Sequence, residues 1–375
     1  MGLRGLQAAR QAGRQGSHDA GVLAANTAAA MLARGRTAEA AALIDPLTTR
    51  PPDRDHWLAQ VIRAEIDLLR GDAGASAERW RQIYAFPAVI SRVDFALESA
   101  QRAAEAAVWA GRPADALAEI RQLLAQYQVP DLTILCGRLL TAGMRACADL
   151  AEQARARHDE AAASVAAAAA DGLVAWVELM DGVPLADHPW VATMPAERAI
   201  WDAERTRLAG ASAPDAWGVA AEAWQVLDCP HRAGYAWWRQ AQALLDAGQP
   251  AAAATGALRA AAAAADGHAP LLSQIRTLAG RARIPLQPRG STGAVPGVPP
   301  LAAAPTPYGL TGRELAVLRL LAAGRTNAEI GTELYISPKP AGVHVSNILR
   351  KFGVSGRVQA AALAERAGLL HSSRP

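Results

Sequence analysis

Residues 310–370 read LTGRELAVLRLLAAGRTNAEIGTELYISPKPAGVHVSNILRKFGVSGRVQAAALAERAGLL. A Thr followed three residues later by Glu marks a helix N-terminus, because the two side chains can cap each other's backbone N–H groups. This pattern occurs at Thr311 and again at Thr326. Ser337 followed by Pro338 marks a third start, and glycines follow the apolar runs. The stretch is therefore predicted to form four short helices.

The third of these helices, residues 338–352, has two faces of different chemistry. Its apolar residues recur at helical spacing and are predicted to pack on the other helices: Ala341, Val345, Ile348 and Phe352. The opposite face carries Lys339, Gly342, Val343, Ser346 and Arg350. A turn of about three residues separates the second and third helices, which is the spacing of a helix-turn-helix. Small and basic residues on an exposed helix suit the major groove of duplex DNA.

The stretch resembles the DNA-binding domain of LuxR-type (LuxR/FixJ) transcriptional regulators. The family pattern LT-x-RE-x-x-VL is matched by residues 310–318, A-x-G-x-[ST]-N-x-EI by 322–330, and V-H-V-x-x-I-L-x-K-x-G-V by 343–354. The resemblance implies a four-helix domain that reads duplex DNA with residues 338–352 in the major groove. The chain would then be a sequence-specific transcriptional regulator that acts as a dimer and works with RNA polymerase.

The resemblance and the charge pattern assign roles to individual residues. The resemblance places Gly342, Val343 and Ser346 opposite the bases. The basic residues around the third helix are candidates for phosphate contacts: Lys339, Arg350, Lys351 and Arg357. The resemblance adds Thr326 to this set. The last helix is the implied dimer surface, through Val358, Ala361 and Ala362. Two paired domains would read an inverted repeat.

One position departs from the family. Pro340 stands where the family usually has Thr, which removes a hydroxyl and a backbone N–H from the first helical turn. The effect on DNA affinity stays open at this stage. The alternative function is a helical protein–protein scaffold with a weakened or vestigial DNA-binding domain.

Residues 1–286 show a second pattern, in which helices of 12–18 residues end at a glycine followed by a short Ala-rich turn. The turns begin at Gly35, Gly71, Gly111 and Gly248, with a weaker one at Gly210. Their spacing of about 38 residues is near the period of helix-pair repeats. The region resembles the tetratricopeptide-like part of the large LuxR-type (LAL) regulators. We predict a helical-repeat solenoid for sensing or oligomerisation, followed by a Pro-rich linker over 287–307 and the DNA-binding domain over 308–375.

The ten tryptophans of the chain have two interpretations. Trp217, Trp224, Trp237 and Trp238 either line a groove for a small-molecule or peptide ligand, or fill the core of the solenoid. The second is favoured, because Trp217 and Trp224 lie two helical turns apart.

Composition limits the remaining function classes. The chain is 51% hydrophobic but only 5% aromatic, which favours an all-α fold. Nine Lys/Arg against four Asp/Glu fall in 308–375 although the net charge of the whole chain is +3, so the basic excess lies on the segment expected to meet DNA. We find no P-loop pattern, no metal-ligand spacing and no nucleophile–base set. We expect no enzyme activity, no metal, no cofactor, no membrane contact and a cytoplasmic, nucleoid-associated location.

Overall fold

The computed structural model describes residues 2–14, 17–49, 57–85, 93–126, 137–180, 192–286, 310, 312–334, 338–354, 356–367 and 369. Within these ranges the regular secondary structure is helical throughout, which confirms the all-α prediction. The chain divides into two compact units, Met1–Leu286 and Gln287–Pro375. The predicted linker over 287–307 lies outside the described residues.

The N-terminal unit is built of helices of 8 to 21 residues. They are α1 (Gly2–Gln11), α2 (His18–Ala33), α3 (Thr37–Ile44), α4 (Trp57–Leu69), α5 (Ala73–Tyr84), α6 (Val93–Trp109), α7 (Pro113–Gln126), α8 (Gly137–Ala156), α9 (Glu160–Met180), α10 (Met194–Leu208), α11 (Pro214–Val226), α12 (Pro230–Asp246), α13 (Ala251–Ala264) and α14 (Ala269–Ala282). A 3₁₀ turn over Asp45–Leu47 follows α3.

The glycines that the sequence singled out end helices as predicted. Each has a positive φ, a conformation that only glycine adopts without strain: Gly35 71°, Gly71 92°, Gly111 75°, Gly210 78° and Gly248 72°. At Gly35 the next N–H, that of Arg36, donates to the carbonyl of Met31 at 2.9 Å, and the same bond recurs after each of the other four. This pattern satisfies carbonyls at the end of the helix and reverses the chain, so α2/α3, α4/α5, α6/α7, α10/α11 and α12/α13 form hairpins.

Two further reversals carry no glycine. His158 between α8 and α9 has a φ of 55°, and Asp228 between α11 and α12 has a φ of 56°. Sequence reasoning missed both turns, because it relied on glycine as the signal. From the sequence, residues 170–180 are expected to form one helix and residues 184–189 an ordered loop. The first stretch is the second half of α9, and the second lies outside the described residues.

α9 is the most apolar of the long helices. Its Glu160–Glu178 segment has a mean hydropathy of 1.3 and is long enough, by length and composition alone, to cross a membrane. Much of that hydropathy comes from alanine, and Asp171 interrupts the segment. Ala170 and Leu173 of α9 are buried in a core shared with α7 and α8.

The two ends of the N-terminal unit meet. Arg34 after α2 forms an ion pair with Asp228 before α12 at 3.6 Å. A side chain at Gly35 would come within 2.8 Å of the Pro230 ring, and one at Gly267 within 2.8 Å of the Thr37 hydroxyl. The first hairpin therefore contacts the last helices. The predicted tetratricopeptide-like solenoid stays a prediction, and these contacts between distant helices go beyond the neighbour-to-neighbour packing of such repeats.

His268 lies where these ends meet and caps α14. Its Nδ1 accepts the N–H of Leu271 at 3.2 Å. Its ring centroid is 4.9 Å from that of Trp109 and 5.1 Å from that of His231. Burial, together with the charges of His231 and Arg145, holds the pKa of His268 well below its usual range. The imidazole is therefore neutral in the folded unit near neutral pH.

We expect the N-terminal unit to lose stability as the pH is lowered from about 7 to about 5. Unfolded histidine takes up a proton near pH ~6.5, but folded His268 resists it, so the unfolded state binds more protons in this window. His268→Asn keeps an oxygen for the cap without titrating and should lose less stability across the window. His158→Asn, at an exposed position, should follow the parent. Urea denaturation followed by tryptophan fluorescence measures this; equal losses in all three proteins would contradict the buried neutral state.

The C-terminal unit consists of α15 (Gly312–Ala322), α16 (Asn327–Leu334), α17 (Pro338–Phe352) and α18 (Arg357–Arg366). The predicted ends at Gly324 and Gly353 are confirmed by positive φ values of 80° and 66°. Its core is separate from those of the N-terminal unit and includes Val317 and Leu318 of α15 and Ile330 of α16. The four predicted helices are thus present within the described residues, and three of them enclose one side of α17.

Candidate DNA-binding surface

One face of α17 is buried in the C-terminal unit. Ala341 and Ile348 are fully buried, and Val345 and Phe352 are each 8% exposed. These are the residues that the apolar spacing predicted to face inward. Their burial fixes the rotation of α17 about its axis, so the remaining positions necessarily point away from the core.

The opposite face of α17 is open and weakly polar. Gly342 and Val343 are half-buried, whereas Ser346 and Arg350 are exposed. The Ser346 hydroxyl donates to the carbonyl of Gly342 at 3.0 Å, which leaves its lone pairs free to accept. A side chain at Gly342 would come within 3.1 Å of the Asn327 amide, so glycine allows α16 and α17 to approach closely there. The side chain of the predicted phosphate contact Lys339 and that of Pro340 lie outside the described part of α17.

The N-terminus of α16 is capped as the sequence predicted. The Thr326 hydroxyl accepts the N–H of Glu329 at 3.3 Å, and the Glu329 carboxylate accepts the N–H of Thr326 at 2.7 Å. The Thr326 hydrogen bonds also lower the pKa of Glu329. The capping box predicted at Thr311 and the cap predicted at Ser337 each begin at a residue outside the described ranges.

Arg357 and Arg350 are exposed on this surface. The Arg357 guanidinium donates to the carbonyl of Arg325 at 3.3 Å and to the amide oxygen of Asn327 at 3.2 Å. These bonds hold it beside the N-terminus of α16, where the helix dipole also attracts anions. The Arg350 guanidinium donates to Asn347 at 3.3 Å within α17.

Lys351 differs from the other predicted phosphate contacts. Its ammonium lies 2.6 Å from the carboxylate of Glu314, a side chain only 6% exposed. Glu314 belongs to the first turn of α15, so this ion pair ties the C-terminal end of α17 to α15. Lys351 therefore contributes to the packing of the unit.

The predicted dimer surface is exposed in the C-terminal unit taken alone. On α18, Val358 is 80% exposed, Ala362 is exposed and Ala361 is half-buried. Ala360 and Ala364 face the core instead. A single exposed apolar side chain is common on protein surfaces, so dimerisation through α18 stays a prediction.

The tryptophans divide between the two interpretations. Trp217 and Trp224 are fully buried, which confirms the core interpretation for them. Trp238 is 7% exposed and belongs to the same core, but it also lines a pocket together with Trp109. The sequence singled out Trp238 but missed Trp109, since nothing in the spacing of the tryptophans brings the two together.

The geometry of the C-terminal unit defines a class of protein: a four-helix domain in which a short helix and a two-faced helix form a helix-turn-helix, as in DNA-binding proteins. The model of the bacterial regulatory proteins of the luxR family matches residues 309–364. Through this domain the chain belongs to that family.

Named relatives are similar to the chain over a comparable length. Spore germination protein GerE of Bacillus subtilis is 46% identical over 61 residues, 16% of this chain and 82% of GerE. Transcriptional regulatory protein LiaR of the same species is 52% identical over 62 residues, and the probable transcriptional regulatory protein NarL of Mycobacterium tuberculosis is 41% identical over 68. The chain spans only 29% of LiaR and 32% of NarL. No solved structure is significantly similar to the chain.

Proposed function

We propose that the chain is a transcriptional regulator that binds a specific sequence of duplex DNA. α17 enters the major groove, and Gly342, Val343 and Ser346 face the bases. The two-faced α17 supports this proposal: a buried apolar face sets its rotation, and small side chains leave room for close approach to base edges. The net positive charge of 308–375 favours a polyanionic partner.

Phosphate contacts fall to side chains at the edge of this surface. We assign them to Thr326, Lys339, Arg350 and Arg357, and to the part of the Lys351 ammonium that Glu314 does not engage. Arg357 and Thr326 lie together at the N-terminus of α16, where backbone N–H groups and the helix dipole also favour a phosphate. Such contacts set the orientation of the protein on DNA without reading its sequence.

The assembly is part of the same proposal. Two chains pair through Val358, Ala361 and Ala362 of α18, read an inverted repeat and act on RNA polymerase in the cytoplasm. The helical unit over 1–286, joined by the Pro-rich segment 287–307, is the sensing or oligomerisation part. The rival function is a protein–protein scaffold that leaves the DNA-binding surface unused.

Selection of bound sequences from a random duplex pool tests the proposal. The full chain and residues 308–375 alone are each taken through the selection. We expect one enriched motif, arranged as an inverted repeat for the paired protein. Enrichment of no motif by either protein would refute sequence-specific binding and favour the scaffold. Enrichment of single half-sites only would refute pairing through α18.

The phosphate assignments make a separate prediction. Arg350→Ala and Arg357→Ala should each weaken binding to all sequences alike and reduce the slope of log affinity against log salt by about one. Lys351→Ala should reduce the slope less, because its charge is paired with Glu314, and should instead loosen the domain. Arg319→Ala, an exposed arginine outside the proposed set, is the control.

Fluorescence anisotropy at several salt concentrations measures the slope, and hydrogen exchange of residues 312–366 measures the loosening. If Arg357→Ala affects one base position and leaves the slope unchanged, its assignment to a phosphate is wrong. If Lys351→Ala changes the slope as much as Arg350→Ala without faster exchange, the ion pair with Glu314 has no structural role.

A further inference from the structure

A pocket of about 270 Å³ opens in the N-terminal unit between α6, α8, α12 and α14. This volume is slightly below the ~300–1,000 Å³ of typical small-molecule sites, so the pocket suits a small ligand. It lies far along the sequence from the DNA-binding surface, and nothing in the proposed DNA contacts uses it.

Aromatic rings and guanidinium groups form its walls. The Trp109 and Trp238 ring centroids are 6.4 Å apart and the rings are tilted by 31°. The Arg145 guanidinium lies 4.2 Å from the Trp109 ring centroid, and the Arg239 guanidinium lies 4.3 Å from that of Trp238. Stacking on a ring leaves the edge of a guanidinium, where its N–H donors lie, directed to its surroundings.

Three guanidinium groups and one carboxylate line the pocket: Arg145, Arg239, Arg281 and Asp149. Asp149 is already engaged, because Arg207 donates to it at 2.7 Å and Arg239 at 3.0 Å. The pocket therefore has an excess of positive charge, which Arg145 and Arg281 supply.

Arg145 is the arginine best placed to receive an anion. Its Nε is buried and has no hydrogen-bond partner among the described residues, and no carboxylate of those residues forms an ion pair with it. A buried donor left unsatisfied costs stability, and a bound carboxylate would accept from the guanidinium in the geometry that this group prefers.

The neighbouring cavity on the other side of Arg145 is a weaker candidate. Its volume is about 130 Å³, half that of the pocket. Its other arginines are engaged within the unit: Arg102 with Glu65, Arg232 with Glu105, and Arg138 with Glu197. Among the arginines of this cavity, Arg145 is thus the one that forms no ion pair with a carboxylate of the described residues, although its charge helps to lower the pKa of Glu105 and of Asp149.

We propose that this pocket binds a small organic carboxylate. The carboxylate accepts hydrogen bonds from Arg145, Arg281 at the rim adds electrostatic attraction, and an aromatic or apolar body packs against Trp109 and Trp238. If the chain regulates transcription, such a ligand is its input, and that consequence rests on the proposed function. Binding itself does not, and it is tested without DNA.

Isothermal titration calorimetry of the full chain provides the test. The probes are benzoate and indole-3-acetate, with benzamide as the neutral counterpart of benzoate and inorganic phosphate as an anion without an apolar body. We expect at least one of the two carboxylates to bind one per chain with a Kd below about 1 mM, and benzamide and phosphate to bind at least about tenfold more weakly.

Variants locate the site. Arg145→Met keeps an unbranched side chain against the Trp109 ring but removes the donors, and should weaken carboxylate binding at least about tenfold. Arg281→Met, at an exposed position, should weaken it about threefold. Arg276→Met, an exposed arginine on the same helix outside the pocket, should leave it unchanged. Circular dichroism establishes that each variant is folded.

Three results would overturn the proposal. They are binding of neither carboxylate below about 1 mM, equal affinity for benzamide or phosphate, and unchanged carboxylate affinity in a folded Arg145→Met. If Arg145→Met does not fold, Arg281→Met decides, and an affinity equal to that of Arg276→Met refutes the site. If the chain binds a carboxylate but enriches no DNA motif, the ligand site is supported and only the proposed function is refuted.

Discussion

Replacing Arg207 by methionine is expected to lower the free energy of unfolding of the N-terminal unit by about 3–5 kcal/mol. The Arg207 side chain is 2% exposed. Its guanidinium donates to Asp149 at 2.7 Å, to Glu152 at 2.8 Å and to Glu204 at 2.7 Å. Burial alone lowers the pKa of Arg207, but the carboxylates of Glu204 and Asp149 outweigh it and raise that pKa well above its usual range.

The cost arises from the carboxylates that remain. Glu204 has a fully buried side chain. Among the described residues it would keep only the hydrogen bond that the Tyr235 hydroxyl donates to it. Asp149 would keep Arg239 at 3.0 Å. Removing one partner from a buried ionic network destabilises more than the network itself contributes, because the charge left behind is poorly solvated.

Unfolding in guanidinium chloride, followed by tryptophan fluorescence, measures the effect on this unit alone, because all ten tryptophans lie before residue 287. Arg205→Met, an exposed arginine on the same helix, is the matched control and should change the unfolding free energy by less than about 0.5 kcal/mol. A loss in Arg207→Met no larger than that of the control would show that the network does not stabilise the unit.

Replacing Val343 by glutamate is expected to remove sequence-specific DNA binding. Val343 lies on the open face of α17. Loss of its proposed base contact would cost about 1–3 kcal/mol, and a carboxylate in the groove would add repulsion from phosphates. The affinity should therefore fall by more than about a hundredfold. The fold should persist, because the buried side of α17 is unchanged.

Val343→Thr is the control, since it keeps the branched shape without a charge, and it should cost less than about tenfold. Anisotropy titrations against one selected site at fixed salt compare the three proteins, and circular dichroism checks their folding. Binding of Val343→Glu as tight as that of the parent would mean that another surface of the C-terminal unit meets the DNA.

The candidate DNA-binding surface was largely predictable from the sequence. The spacing of Ala341, Val345, Ile348 and Phe352 follows the helical period, and all four are buried. The capping box at Thr326 lies within four residues of sequence and is present as predicted. Lys351 was only partly predictable: its charge suggested a phosphate contact, whereas its ion pair joins residues 37 positions apart.

The ligand pocket and the network around Arg207 were not predictable. Arg207 reads as an ordinary basic residue in the last turn of α10. Two of its carboxylate partners, Glu152 and Asp149, precede it by 55 and 58 positions. Trp109 and Trp238 likewise come from helices distant in sequence. No local sequence pattern predicts these contacts between distant helices, because they depend on how the hairpins stack.

The sequence by itself determined what local physics controls. Glycines with positive φ ended the helices, the 3.6-residue period set the buried face of α17, and the family motifs identified the C-terminal domain. Only the tertiary structure decided that the first hairpin contacts the last helices of the N-terminal unit, through the Arg34–Asp228 ion pair and the approach of Gly35 to Pro230. It likewise decided which arginines are paired. The contact between the two ends and the pairing of the arginines both depend on small rotations between successive hairpins. These rotations add up over the chain, and no periodic pattern in the sequence encodes them.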